Sequence, residues 1–265
     1  DKYGSLPLHW LAMSRGNMHR TVPDRALDAF LLGNEATLTV KDNYNMLALE
    51  NALTYKHTKI VAKLIDRIVK YATHLKEHRP DKFSDLFQTY CSLPKVLERF
   101  CEEWKDLAQT DFGGGNLPLH LICNGQGTCN QQSLEFITKL APSTIAERND
   151  DGQTPLHCLL QRHAANVPCV KALISACPKV VYIQDSKGQL PLHLACKVKE
   201  ESSALYWTLV NLVHSQGLGG VHQADRCGTT PLVLACQRCA EESYGDDPLA
   251  LTSLYEMIIS DPAQF

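Results

Sequence analysis

Histidine and cysteine side chains recur along the chain at spacings that could bind a metal ion. His120 and Cys123 are three residues apart, as are His193 and Cys196, so each pair lies on one face of a predicted helix. Imidazole nitrogen and thiolate sulfur are common zinc ligands, at about 2.0–2.3 Å. Packed helices lie about 8–10 Å apart, so a neighbouring helix does not complete either pair to four ligands. We therefore predict that these side chains are structural and that the chain has no metal site.

Other chemical motifs are incomplete. Cys236 and Cys239 form a C-x-x-C motif, but no second pair accompanies it for zinc and no βαβ pattern for redox chemistry. His74 and His78 are four residues apart without an apparent carboxylate partner. The glycines at 112–116 lack the buried strand and the lysine of a phosphate-binding loop, and no G-x-S-x-G or H-E-x-x-H motif occurs. The sequence therefore predicts a protein that is not an enzyme and has no cofactor.

Length and composition exclude several classes of protein. The 265 residues are 44% hydrophobic and 21% charged, which is typical of a globular protein and excludes wholesale disorder. A net charge of −3 argues against nucleic-acid binding, and no apolar run approaches the length of about 18 residues that predicts membrane insertion. The eleven cysteines are an odd number without any Asn-x-Ser/Thr site, which predicts free thiols in a reducing, intracellular compartment, cytoplasmic or nuclear. Cys129 and Cys227 are the thiols we expect to be exposed.

A short repeated pattern determines how these residues are positioned. It reads DSKGQLPLHLAC from Asp185, and a degraded copy, DNYNMLALENAL, starts at Asp42. Pro118 and Pro155 are 37 residues apart, whereas Ala48 and Pro118 are 70 residues apart. Because 70 is two periods of 35, a further degenerate copy is predicted from about residue 81. The prolines of the good copies are Pro7, Pro118, Pro155, Pro191 and Pro231.

The residue types in this pattern have physical roles at their positions. A glycine such as Gly152 allows the positive φ of a tight turn, and an aspartate such as Asp185 accepts backbone N–H groups across it. Proline then fits the first turn of a helix, where its missing N–H costs nothing. Apolar residues at helical spacing, such as Leu134 and Ile137, predict a second helix in each copy. Each copy is therefore predicted to be a turn followed by two helices.

This pattern resembles the ankyrin repeat, a β-turn followed by two antiparallel helices with the signature T-P-L-H-x-A. The resemblance implies an α fold, an α-hairpin solenoid of stacked β-turn and helix-loop-helix repeats with little or no extended sheet. It also implies that the histidines of the signature form hydrogen bonds between neighbouring repeats. These histidines are His9, His120, His157 and His193.

The resemblance covers the chain and predicts a single ankyrin repeat domain, 1–265, of about seven repeats. An apolar stripe over residues 57–78 predicts an extended helix of about 22 residues, roughly twice the length of an ankyrin second helix. The first and last repeats lack the polar face of terminal caps, so we expect the chain to be part of a longer protein or of a complex. The predicted repeats are 1–41, 42–80 with the extended helix, 81–111 (degenerate), 112–148, 149–184, 185–224 and 225–265.

The resemblance implies a non-catalytic scaffold or adaptor that binds a partner protein on the concave surface of turns and first helices. Two alternatives remain open. The chain could be a structural subunit of a large protein assembly, which exposed Trp10, Trp104 or Trp207 would favour, or a regulatory region of a longer multidomain protein. The residues expected to contact the partner are Lys2, Tyr3, Ser5, Met13, Asn43, Tyr44, Met46, Asp150, Asp151, Gln153, Arg162, Ser186, Lys187, Gln189, Arg226, Cys227, Thr229 and Arg238.

A basic stripe follows the extended helix. It is either a solvated face opposite the apolar stripe or a docking site for an acidic segment of a partner. Binding to a membrane surface is a weaker third possibility, because the apolar stripe is needed for the core. The stripe consists of Lys56, Lys59, Lys63, Arg67 and Lys70.

Overall fold

Except at Ala48, the first helices of the repeats begin at a proline, which fits the first helical turn because it has no backbone N–H to satisfy. The computed structural model describes residues 5–13, 35–125, 129–161, 166–197, 210–214, 220–241 and 248–259. The chain divides into two compact bodies. The first body is Asp1–Tyr90 with Glu98–Phe100, and the second body is Cys91–Leu97 with Cys101–Phe265.

The first body is built from helices that pack in chain order. It contains α1 (Pro7–Met13), a 3-10 helix (Glu35–Thr39), α2 (Ala48–Thr54), α3 (Thr58–His78) and α4 (Pro80–Tyr90). Helix α1 packs on α2, α2 on α3, and α3 on α4. Residues 98–100 of α5 (Pro94–Glu103) also belong to this body, and the Phe100 ring stacks on that of Phe87 with centroids 6.0 Å apart.

The extended helix predicted from the apolar stripe is present as α3, with 21 residues. Its buried stripe includes Leu64, Ile68 and Leu75. Only Arg79 separates α3 from α4. Helices α4 and α5 lie in the segment of the predicted degenerate repeat, and no long turn precedes α4. The hydroxyl of Tyr90 donates a hydrogen bond to the carbonyl of Leu38, and burial raises the pKa of Tyr90.

The second body is a series of stacked helix pairs. Its first helices pack on one another in order, α6 on α8, α8 on α10 and α10 on α11, and α7 packs on α9. Within a repeat, α6 packs on α7, α8 on α9 and α11 on α12. These helices are α6 (Pro118–Asn124), α7 (Gln131–Leu140), α8 (Pro155–Leu160), α9 (Val167–Ala176), α10 (Pro191–Lys197), α11 (Pro231–Glu241) and α12 (Pro248–Ile259), with 3-10 helices at Leu107–Gln109, Pro142–Ile145 and Pro178–Tyr182.

The second helices have defined ends. The side chain of Asn130 accepts hydrogen bonds from the N–H groups of Gln132 and Ser133 at the start of α7, and Asn166 caps α9 by accepting from Cys169. Each helix ends two residues before a proline, Pro142 or Pro178, and a short 3-10 turn begins at that proline.

The α fold class predicted from the repeats is confirmed. Over the part of the chain that the structure describes, the only β pairing is an isolated antiparallel bridge between Lys41 and Leu47. None of the described helices is both long enough and apolar enough to cross a membrane. The repeat count and the single continuous domain stay predictions.

Candidate interaction surface

An aspartate folds the turn in three of the repeats. Oδ1 of Asp185 accepts hydrogen bonds from the N–H groups of Lys187 at 2.9 Å and Gln189 at 2.8 Å, and Gly188 supplies a φ of 76°. Asp225 and Asp42 form the same pair of bonds two and four residues ahead. The predicted role of these aspartates is therefore confirmed, whereas Asp1 lies outside the described residues.

The turns of the second body are joined to one another through their backbones. The N–H of Asp150 donates to the carbonyl of Gly114, that of Ser186 to Asp151, and that of Arg226 to Lys187, at 2.9–3.0 Å. Each bond links one repeat to the next. The turn tips are therefore held in one fixed row rather than moving as separate loops.

Buried histidines make a second link between repeats. Nδ1 of His157 accepts from the N–H of Thr154 at 3.2 Å, so Nε2 carries the proton and donates to the carbonyl of Gln189 in the following repeat at 3.1 Å. His120 and His193 make equivalent bonds, to the carbonyls of Gln153 and Thr229. Burial lowers the pKa of all three, although the hydrogen bonds to carbonyls act in the opposite direction. The hydrogen bonding between repeats that the resemblance implied is thus present.

The histidine position varies in the outer repeats. In α2, Glu50 stands at the histidine position. Its carboxylate replaces the imidazole Nδ1 as acceptor and accepts a hydrogen bond from the N–H of Leu47 at 2.7 Å. Nδ1 of His9 accepts from Leu6, but its buried Nε2 has no partner among the described residues. Val233 replaces histidine in the last repeat, where the Thr230 hydroxyl accepts from its N–H.

Leucine replaces threonine at positions 117 and 190, so the hydroxyl group that could cap the first helix is missing there. The N–H groups of these leucines instead donate to Nδ1 of His120 and His193, so the imidazole acts as the cap. Where threonine is present, at Thr154, its hydroxyl lies 2.8 Å from Nδ1 of His157. The imidazole therefore explains why the threonine is dispensable.

The row of turn tips in the second body presents exposed polar side chains. They are Asp150 and Asp151 in one repeat, Ser186 and Lys187 in the next, and Arg226 and Cys227 in the last. Gln153, Thr229 and Arg238 are half-buried. In the first body, Asn43 and Tyr44 are exposed, and Met13 and Met46 are half-buried. Lys2, Tyr3 and Arg162 lie outside the described residues.

Two predicted contact residues and one predicted exposed thiol are buried. The side-chain amide of Gln189 donates to Oδ2 of Asp225 at 3.1 Å, which lowers the pKa of that carboxyl and ties two repeats together. Ser5 is also buried. Cys129 is covered because its carbonyl accepts hydrogen bonds from Asn166 and Cys169 of the following repeat. Gln189 and Ser5 are therefore excluded from the candidate surface, and Cys129 from the exposed thiols.

The basic stripe lies on the surface of the first body. Lys56 precedes α3, and Lys59 and Lys70 are exposed on it, whereas Lys63 and Arg67 are half-buried. The neighbouring Asp66 forms an exposed ion pair with Arg99 at 3.6 Å. The arrangement agrees with a solvated face and with a docking site, so both interpretations stay open.

The remaining chemical motifs have structural explanations. Both ring nitrogens of His120 and His193 are occupied by backbone groups, and Cys123 and Cys196 are buried beside them. No group of three or more potential ligands that could hold a metal ion occurs in the described ranges. All eleven cysteines are free thiols, and Cys227 is exposed as predicted. The cellular compartment stays a prediction.

An open groove of about 610 Å³ lies behind the turns of the last repeats. Arg148 and Arg226 line it together with Asp185 and Asp225. The lining therefore includes two positively charged and two negatively charged side chains. Because neither sign of charge prevails among them, the groove is not expected to select an anionic or a cationic ligand.

Comparison with known proteins assigns part of the chain to a family. Residues 119–206 match the family described as "Ankyrin repeats (3 copies)". No curated protein matches the chain.

Proposed function

Because the chain is an ankyrin repeat protein, we propose that its second body recognises a partner protein through the row of turn tips. Ankyrin repeats are generally protein–protein interaction modules and are typically non-catalytic. The partner surface proposed here consists of Asp150, Asp151, Ser186, Lys187, Arg226 and Cys227.

The observation that carries this proposal is the hydrogen-bonded row of turns. Each tip is fixed to the preceding tip by a backbone bond, as between Ser186 and Asp151, so the exposed side chains keep their spacing before a partner arrives. Recognition by a preorganised surface loses less conformational entropy than recognition by free loops. The side chains of the row are exposed and are therefore available for selection among partners.

Charge along the row specifies the kind of partner. Asp150 and Asp151 make one end acidic, whereas Lys187 and Arg226 make the other end basic, and all four are exposed. A partner that binds along this row is therefore expected to carry basic groups opposite the two aspartates and acidic groups opposite Lys187 and Arg226. This order also fixes the direction in which the partner lies.

Reversing the basic end of the row tests the proposal. The double variant Lys187→Glu with Arg226→Glu is expected to weaken partner binding by about tenfold or more, which corresponds to about 1.4 kcal/mol. Partners captured from a cell extract by the unaltered chain are measured for affinity against each variant. The matched control is Lys139→Glu with Lys171→Glu, which makes the same change of charge on exposed residues of α7 and α9.

The comparison separates the candidate surfaces. If only the turn-tip variant loses the partner, the result supports the proposal. If the control variant loses the partner equally, binding depends on the net charge of the protein and not on the turn tips. A third variant, with Lys59, Lys63 and Lys70 changed to glutamate, tests the basic stripe. If only this third variant loses the partner, the basic stripe is the docking site and the proposal for the turn tips is wrong.

A structural subunit of a larger assembly is the second candidate, and one observation favours it. Trp10 is 55% exposed on α1. Large exposed aromatic side chains are more typical of permanent interfaces than of solvated helices. Trp104 is half-buried, and Trp207 lies outside the described residues.

A further inference from the structure

The C-terminal end of α3 carries a pair of histidines that the proposed turn-tip surface does not include. His74 and His78 are four residues apart, so they lie on the same side of the helix. Both are exposed, and their imidazole rings are stacked, with centroids 4.6 Å apart and planes 15° from parallel. Two side chains that commonly bind metal ions are therefore held side by side on the surface of the first body.

A hydrogen bond determines which nitrogen of His78 is left for a metal ion. Nδ1 of His78 lies 3.0 Å from the backbone carbonyl oxygen of His74. Because a carbonyl oxygen only accepts hydrogen bonds, Nδ1 donates and carries the ring proton. In the neutral ring, Nε2 therefore has the lone pair that binds a metal ion. Metal-binding histidines typically have this arrangement, in which the other ring nitrogen donates to a carbonyl or carboxylate.

The distance between the two rings is compatible with binding to one ion. Two imidazole nitrogens that each lie about 2.0–2.1 Å from the same ion are about 3 Å apart. From a centroid distance of 4.6 Å, the rings reach this separation by tilting toward one another. Exposed side chains reorient rapidly, so this adjustment needs no change in the helix. Two histidines at the same spacing on a helix bind zinc in the H-E-x-x-H motif.

The buried histidines of the second body show what sets this pair apart. Both ring nitrogens of His120, His157 and His193 bond to backbone groups, and all three side chains are buried. Those imidazoles have no nitrogen left for an ion. His74 and His78 are exposed and adjacent, and the bond to the carbonyl occupies only Nδ1 of His78.

The position of the pair on α3 also favours a cation. His78 is the last residue of the helix, and the unpaired carbonyl groups of a last helical turn carry partial negative charge. Lys70 lies one turn before His74 on the same side and opposes a second positive charge. Because Lys70 is exposed, solvent and salt screen this repulsion.

We propose that His74 and His78 bind a divalent transition-metal ion that prefers imidazole ligands, of the kind represented by Ni²⁺, Cu²⁺ and Zn²⁺. Nε2 of His78 and one ring nitrogen of His74 are the protein ligands, and water completes the coordination. The sequence prediction of no metal site depended on the lack of a carboxylate partner, which this coordination does not need. The bound ion bridges the last turn of α3 and stabilises the end of the extended helix.

Calorimetric titration of the whole chain with Ni²⁺ tests this inference. Ni²⁺ is the probe because imidazole suits it, whereas the thiolates of the eleven free cysteines favour softer ions. His78→Ala is expected to weaken Ni²⁺ binding by about tenfold or more. Ni²⁺ is also expected to raise the Tm of the unaltered chain more than that of the variant. Circular dichroism confirms that each variant is folded.

Two double variants make the test specific to the spacing of the pair. His78→Ala with Lys70→His moves the pair one turn back, four residues before His74, whereas His78→Ala with Lys76→His places the second imidazole on another side of the helix. Both changes replace an exposed lysine, so the change of charge is the same. Only the first double variant is expected to regain Ni²⁺ affinity. Equal binding by the unaltered chain and His78→Ala overturns the inference, as does equal recovery in both double variants.

Discussion

Replacing Gly152 with alanine is expected to destabilise the second body by about 3 kcal/mol or more, whereas the same change at Gly228 costs about 1–2 kcal/mol. Both glycines have nearly the same backbone conformation, with φ of 72° and 78°. Forcing an L-residue into this left-handed region costs about 1–2 kcal/mol at either site. Only at Gly152 does the new Cβ also meet the backbone nitrogen of Ser186, at 2.7 Å. Overpacking of this kind adds about 1–3 kcal/mol.

The two substitutions are a matched pair, because they alter the same motif position in the same body. Urea unfolding of both variants measures the difference in the free energy of unfolding. A difference of about 1 kcal/mol or more, with Gly152 the more sensitive, is the expected result. Equal destabilisation would mean that the turn of the following repeat does not press on Gly152.

Replacing His157 with alanine is expected to cost about 3 kcal/mol in the free energy of unfolding. The change leaves a cavity and removes partners from two backbone groups, the N–H of Thr154 and the carbonyl of Gln189. Both groups lie in the interior of the stack, so water does not readily replace the imidazole. Chemical denaturation followed by circular dichroism measures the loss.

His9 provides the comparison, because it occupies the same motif position and is equally buried. Its Nδ1 accepts from Leu6, but its Nε2 has no partner within the described residues. His9→Ala is therefore expected to cost about 1 kcal/mol less than His157→Ala, which is the net value of one buried hydrogen bond. If His9→Ala proves the more costly of the two, the bond to the following repeat is not what stabilises His157.

The elements that the sequence predicted best are those fixed by local chemistry. Proline at the start of a helix, aspartate before a tight turn and an apolar stripe such as that of α3 each have one favourable conformation, and the structure contains all of them. The role of His157 was also predictable, because the resemblance assigns it a bond between repeats. These features depend on a few neighbouring residues and were therefore readable from a single sequence.

Exposure was less predictable, because it depends on what the neighbouring repeat supplies. Gln189 was expected to contact a partner protein. Its side-chain amide instead donates a hydrogen bond to the carboxylate of Asp225 in the following repeat, and the side chain is buried. Cys129 lies in a loop, yet Asn166 and Cys169 of the following repeat cover it.

The stacking of repeats through buried imidazoles is the central claim, and a nitrogen-15 NMR titration of His120, His157 and His193 tests it most directly. Burial lowers their pKa in the folded state below the ordinary value of about 6.5. Below that pH the unfolded chain binds more protons than the folded one, so stability is complete above about pH 6.5 and falls as the pH decreases toward the lowered pKa. The account predicts three neutral rings with the proton on Nε2 and with pKa values below the ordinary value of about 6.5. Rings that exchange between tautomers and titrate at the ordinary value would contradict it.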